Sequence, residues 1–110
     1  MAMTDVYTSP EPSRADIDER QGPLVLEFGA PWCGFCKAAQ PLIAQAFQGY
    51  AEIPHIKIED GKGRPLGRSF RIKLWPSLVF LKNGQEVGRL VRPNNAEAIE
   101  RELERLSATT

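Results

Sequence analysis

The sequence predicts an α/β domain, a mixed sheet of four or five strands with helices on both faces. Three observations lead there. Leu24-Val25-Leu26-Glu27-Phe28 is nearly all apolar, as expected of a strand buried on both sides. A long run with helical apolar spacing follows it directly, and a second strand follows that run. Further along, Asn83-Gly84 joins two more strand-like runs. At 110 residues the chain is the size of one domain, and roughly two-thirds of its unfolded surface can be buried, enough for a core without covalent staples.

Residues 1 to 12 carry Ser9-Pro10-Glu11-Pro12, which resists regular structure. They are expected to form a flexible arm with a short edge strand near Val6-Tyr7, leaving 13 to 110 as the folded domain. Ser13 with Asp16 has the pattern of a capping box, which predicts a short helix over Arg14 to Arg20, ended by Gly22-Pro23. The first strand follows at Leu24 to Phe28, and Gly29 to Pro31 turns the chain. Between residues 34 and 48, Ala39, Leu42, Ile43, Ala46 and Phe47 mark one face of a helix that Pro41 should kink. Ile53 to Ile58 reads as the second strand, with Ile56 and Ile58 alternating against His55 and Lys57. Strand, helix and strand make a βαβ unit with a right-handed crossover. Arg64 to Phe70 is a short helix and Ser77 to Lys82 a third strand. Asn83-Gly84 is a strong hairpin signal, so Gln85 to Val91 returns antiparallel. Asn94, with Glu97 three residues on, is placed to cap a last helix whose apolar stripe is Ile99, Leu103 and Leu106.

Bulk properties exclude some functions. Fourteen basic and fourteen acidic residues give zero formal net charge, so nothing points to nucleic acid or an anionic membrane. No apolar run approaches the ~18 residues of a membrane span. Met1 to Arg20 is polar and lacks the apolar segment of a signal peptide. The expected compartment is the cytoplasm, where a lone CxxC is more often catalytic or metal-binding than structural.

The chain's two cysteines both lie in Trp32-Cys33-Gly34-Phe35-Cys36-Lys37. Residues three apart share a helix face, so the sulfurs can come within disulfide range. The helix start supplies outward N–H groups and partial positive charge, which favour a thiolate. Cys33 is therefore the candidate nucleophile, attacking a substrate disulfide, and Cys36, a turn deeper, resolves the mixed disulfide. A structural zinc site needs about four ligands, whereas the chain offers two cysteines and His55 on another strand. Intramolecular metal is not expected, and a metal shared across a dimer is weaker still. A purely structural disulfide would close a very short loop and gain little. Lys62, Arg64, Arg68, Arg71 and Lys73 run without an acidic residue between Gly61 and Trp75. Such a run is ordinarily a solvated face; the alternative is steering of an acidic partner.

On these residues, with others in order and register, the chain resembles the thioredoxin family over roughly residues 22 to 107. The shared features are the Trp32 to Lys37 core, an acidic residue six before the first cysteine (Glu27), the helix-kinking Pro41, Lys57 on the next strand, Pro76 ahead of an apolar strand, and the Lys82-Asn83-Gly84 turn. The resemblance implies a thioredoxin fold and a protein disulfide reductase that works as a monomer on disulfide-containing proteins. It implies no organic cofactor, and electrons from a separate reductase. It also implies that Glu27, with Lys57 beside it, lies under the disulfide and exchanges a proton with Cys36. On the residues alone, Glu27 could simply pair with Lys57. Pro76 resembles the family's cis-proline facing the disulfide. Trp75 before it would offer its backbone to an extended substrate, while Trp32, Gly34, Phe35 and Arg92 would line the groove.

Departures from the family pattern bear on specificity. Phe35 replaces the usual proline between the cysteines, a proline that accompanies strong reductants near about −270 mV. Glu27 stands where aspartate is usual, Trp75 replaces a smaller aliphatic, Arg92 replaces a glycine, and Gly29 replaces an aromatic. These changes should make the groove bulkier and more basic. Two other readings remain: a disulfide isomerase or oxidase, and a partner-binding module whose CxxC is incidental. The expected lack of a leader and of a dimerisation domain argues against the first.

Overall fold

The computed structural model describes residues 6–108. Its elements in order are α1 (Arg14–Asp18), β1 (Pro23–Gly29), α2 (Gly34–Phe47), β2 (His55–Glu59), α3 (Pro65–Ser69), β3 (Ser77–Lys82), β4 (Gln85–Val91) and α4 (Ala96–Ala108). The sheet order is β2-β1-β3-β4, with β1 parallel to β2 and the remaining pairs antiparallel. This is the mixed sheet expected, at four strands. The proposed edge strand near Val6-Tyr7 contracts to a single parallel bridge between Tyr7 and Lys57, with the Thr8 N–H donating to the Lys57 carbonyl at 2.8 Å. Residues 1–5 of the segment read as an arm lie outside the described residues. Its later part is tied in again where a Glu11 carboxylate oxygen accepts from the Leu66 N–H.

The central strand explains the layering. Successive side chains of a strand point to opposite faces, and β1 buries both. Leu24, Leu26 and Phe28 join Val79, Leu81 and Ile58 under α1 and α3, which contribute Ile17 and Leu66. Val25 faces the other way, with Leu78 and Phe80, toward Ile43 and Phe47 of α2 and the Ile99, Leu103 and Leu106 stripe of α4. Full burial of each such large apolar side chain contributes about 1.5–3 kcal/mol. Glu27 shares the α2 face with Val25, so the one carboxylate of β1 lies under the helix that carries the CxxC.

Local signals explain the element ends, with two corrections. Ser13 and Asp16 form the full capping box expected for α1. The last helix is capped one residue later than expected: the Asn95 side chain, not that of Asn94, accepts from the Ala98 N–H at 2.8 Å. Asn94 turns instead to the Asn95 side-chain amide. The second strand begins at His55 rather than Ile53. Its alternation is as read, but both faces are covered, and its polar side faces α2 rather than solvent.

The hairpin turn is locked from outside the sheet. Asn83 and Gly84 both have positive φ, 52° and 80°, as a two-residue turn that follows the strand twist requires. The Asn83 side chain accepts from the Gly22 N–H at 2.7 Å, and its own N–H donates to the Gly22 carbonyl at 3.0 Å. A Cβ on Gly84 would run into the Asp18 carbonyl. Gly84→Ala should therefore destabilise the fold by at least about 1 kcal/mol, the cost of a left-handed non-glycine residue, plus the clash. Urea unfolding checks this, and an unchanged midpoint would show that neither the left-handed backbone nor the Asp18 contact constrains this position.

Candidate active site

The two cysteines sit at the junction of β1 and α2. Cys33 is the N-cap of α2, and its sulfur accepts from the Cys36 N–H at 3.2 Å. The first turn of α2 thus directs a backbone donor at the Cys33 sulfur, where the helix dipole adds partial positive charge. Both thiols are free. Cys33 is 7% exposed and Cys36 3%. They pack with Ala30, and Trp75 covers this cluster. Burial, foremost, pushes the Cys36 thiol up to about 12. The hydrogen bond to Cys33 and the negative charges of Cys33 and Glu27 act in the same direction, against a backbone hydrogen bond at Ala30.

Below α2, Glu27 is almost fully buried and both its oxygens are occupied. One lies 2.9 Å from His55 Nε2. The other accepts from the Gln40 side-chain amide at 2.8 Å. Lys57 reaches that same oxygen only at 3.8 Å and instead donates to the Gln40 side-chain carbonyl at 3.0 Å. The expected Glu27–Lys57 pair is therefore bridged by Gln40, whose amide also donates to the Cys36 carbonyl at 3.2 Å. His55 and Gln40 were missed as site residues. The β2 alternation places His55 on the same side as Lys57, and the register sets Glu27 opposite Lys57 and Val25 opposite His55. Read with that register, the alternation would have identified His55.

Tyr7 completes this side. Its ring carries Lys57 Nζ 4.9 Å above it. Its hydroxyl is held protonated by burial and then by the charges of Cys36, Glu27, Cys33 and Glu59. Tyr7, Ala30, Cys36, Gln40 and Lys57 line a hollow that reaches the deeper thiol. Gly29 makes the space, since a Cβ there would stand 2.6 Å from the Cys36 sulfur and 3.5 Å from the Tyr7 hydroxyl.

The outer rim holds the remaining sequence-predicted residues. Trp32 and Phe35 are 70% and 59% exposed, and Gly34, between Cys33 and Phe35, has open space where a side chain would start. Trp32 and Trp75 meet edge to face at 5.3 Å between ring centroids. The Trp75 indole N–H donates to Asp60 at 2.9 Å, and the Trp75–Pro76 peptide is cis. Arg92 lies over Phe35, its guanidinium carbon 3.9 Å from the ring centroid, while its Nε donates to the Trp75 carbonyl at 2.8 Å. The structure thus gathers Cys33, Cys36, Trp32, Phe35, Trp75 and Arg92 around one opening, with Glu27 and Lys57 beneath α2. Of the basic run, Arg64, Arg68, Arg71 and Lys73 line a separate hollow that Asp60 shares. Among the described residues no three His, Cys, Asp or Glu side chains converge as metal ligands, and no helix is long and apolar enough to cross a membrane.

The thioredoxin family model matches residues 6–105, and the chain belongs to the thioredoxin family. It is a thiol–disulfide oxidoreductase, of the class that reduces protein disulfides. Similar solved structures include reduced thioredoxin 2 from Pseudomonas aeruginosa PAO1, with a TM-score of 0.84 and 51% identity over 94% of this chain and 96% of that one. Another comes from work on thiol resolving in yeast mitochondrial 1-Cys peroxiredoxin through the glutathione and thioredoxin systems. Its TM-score is 0.72 at 27% identity, covering 84% and 86% of the two chains. Curated relatives include thioredoxin Asp f 28 of Aspergillus fumigatus, 30% identical over 79% of this chain and 81% of that protein. Thioredoxin H9 of Arabidopsis thaliana is 32% identical over 72% of this chain but 57% of its own length.

The raised Cys36 value fixes a pH dependence. A thiol whose folded value exceeds its ordinary 9.0 stabilises the fold fully below pH 9, and that contribution is lost as pH climbs toward 12. Tyr7 acts in the same direction. The denaturation midpoint of the reduced protein should fall across this window, and Cys36→Ser should flatten the fall. A midpoint equally steep in the variant would remove Cys36 as a cause.

Proposed function

We propose that Cys33 is the attacking thiolate and Cys36 the resolving thiol. The observation that carries this is the asymmetry of the pair. The Cys33 sulfur receives the α2 N-terminal donor, whereas Cys36 is held protonated behind it. Cys33 attacks one sulfur of a substrate disulfide, and the displaced substrate thiolate takes up a proton. Cys36 then gives up its proton and attacks the Cys33 sulfur, releasing the second substrate thiol. Two electrons pass from the pair to the substrate, with one proton from Cys36 and one from solvent, where Cys33 left its own on ionising, and a separate reductase restores the dithiol.

Glu27 is the proton acceptor for Cys36 in this proposal, held by His55 and Gln40, with Lys57 positioned through Gln40. Support comes from a buried carboxylate beneath the deeper thiol, the setting in which enzymes place proton-transfer groups. Trp32, Gly34, Phe35, Trp75, Pro76 and Arg92 form the substrate face. The exposed Trp32 and Phe35 rings supply the apolar patch that partner binding uses. The chain works as a monomer in the cytoplasm, on disulfide-containing proteins and without a bound cofactor. The yeast peroxiredoxin work on a similar chain supports protein thiols and disulfides as the substrate class.

Insulin reduction with dithiothreitol tests the order of attack. Cys33→Ser should be inert, and Cys36→Ser, mixed with insulin in the absence of dithiothreitol, should accumulate a mixed disulfide at Cys33. Trapping through Cys36 in the Cys33→Ser protein would reverse the assignment. Phe35 in place of proline should set the potential above about −270 mV, and Phe35→Pro should lower it. Redox equilibration with glutathione measures both, and a wild-type value at or below about −270 mV removes Phe35 as the tuning residue.

A further inference from the structure

Arg92 is held in an unusual way for an exposed cation. Its backbone lies at φ 51°, and its N–H donates to the Pro76 carbonyl at 2.9 Å, fixing where the side chain starts. The side chain then crosses the opening to Phe35 and closes on the Trp75 carbonyl. Its partners are thus a neutral carbonyl and a ring. Among the described residues no carboxylate pairs with it. Asp60, the acidic group bonded to the Trp75 indole, faces Arg64, Arg68, Arg71 and Lys73 in the separate hollow. In the proposed function Trp75 belongs to the substrate face, and its carbonyl offers an acceptor there to an extended polypeptide.

We propose that Arg92 is a specificity-determining latch that selects disulfides flanked by an acidic residue. The proposal rests on the reductase reading above. In the free protein the guanidinium occupies the Trp75 carbonyl. When a substrate segment docks, its peptide N–H competes with Arg92 for that carbonyl. With a Glu or Asp beside the substrate disulfide, the guanidinium exchanges its carbonyl for a carboxylate, the partner its planar fork fits best. With a neutral neighbour it finds only water or an uncharged acceptor, weaker partners than a carboxylate. With a basic neighbour it meets like charge. Arg92 is exposed, so the discrimination has the size of a solvent-accessible ion pair, about twofold to fivefold.

Single-turnover oxidation of the reduced full chain, followed by Trp32 and Trp75 fluorescence, tests this. Three disulfide peptides serve as probes, identical except for Glu, Gln or Lys beside the disulfide. Second-order rate constants should rank Glu above Gln above Lys, and the spread should shrink at about 1 M salt. Arg92→Gly should remove the ranking, since a positive φ suits glycine, and Arg92→Glu should invert it. Equal rates for all three peptides in the wild type, or an unchanged ranking in either variant, overturn the latch and leave the reductase reading intact. A reduced protein that reacts with none of the peptides overturns the reductase reading, and the latch with it.

Discussion

A carboxylate buried at the middle of a sheet has to be satisfied by its neighbours, and much of the site's arrangement follows from how Glu27 meets that demand. An uncompensated buried charge costs several kcal/mol. Here β2 supplies His55 to one oxygen and α2 supplies Gln40 to the other, with Lys57 held behind Gln40. His55 thus ties β2, and Gln40 ties α2, to the central strand. Gln40 also holds the Cys36 carbonyl, so the group that satisfies the acid and the backbone that carries the deeper thiol are positioned together.

The two faces of the domain do different work. On the α1 and α3 side a large apolar cluster fills the core, and its role is cohesion. On the α2 and α4 side apolar packing gives way, toward the cysteines, to a polar cluster that also draws in Tyr7 from outside the main sheet. Space for the Cys36 sulfur depends on Gly29 having no side chain. The rim above is built from Trp32, Phe35, Trp75 and Arg92, whose contacts with one another give the opening a defined shape before any partner arrives.

How much of this was legible in the sequence depended on whether a feature is local. The capping box at Ser13, the turn at Asn83-Gly84, the strand at Leu24 to Phe28 and the stripe on α4 are encoded in neighbouring residues, and they stand where expected. The spacing of Cys33 and Cys36 is equally local. What escaped was set by register and packing. The alternation of β2 sets His55 on its polar side but does not say that α2 covers that side. Gln40 carries no signal until α2 is laid over β1. Asn94 and Asn95 are both good capping residues, and only the path of the chain leaving β4 decides between them. Arg92 could be placed near the groove by resemblance, but its bond to the Trp75 carbonyl depends on a positive φ that sequence does not announce for arginine.

The edges of the sheet bear on where another polypeptide can add. β2 is partly covered along its outer edge by the Tyr7 and Thr8 segment. β4 bears the paired Glu86 and Arg89 side chains, and its ladder with β3 is broken by a bulge near Phe80 and Leu81. Charges and bulges on edge strands are the means by which folded proteins avoid templating one another. Neither edge of this sheet is a clean template for an added strand.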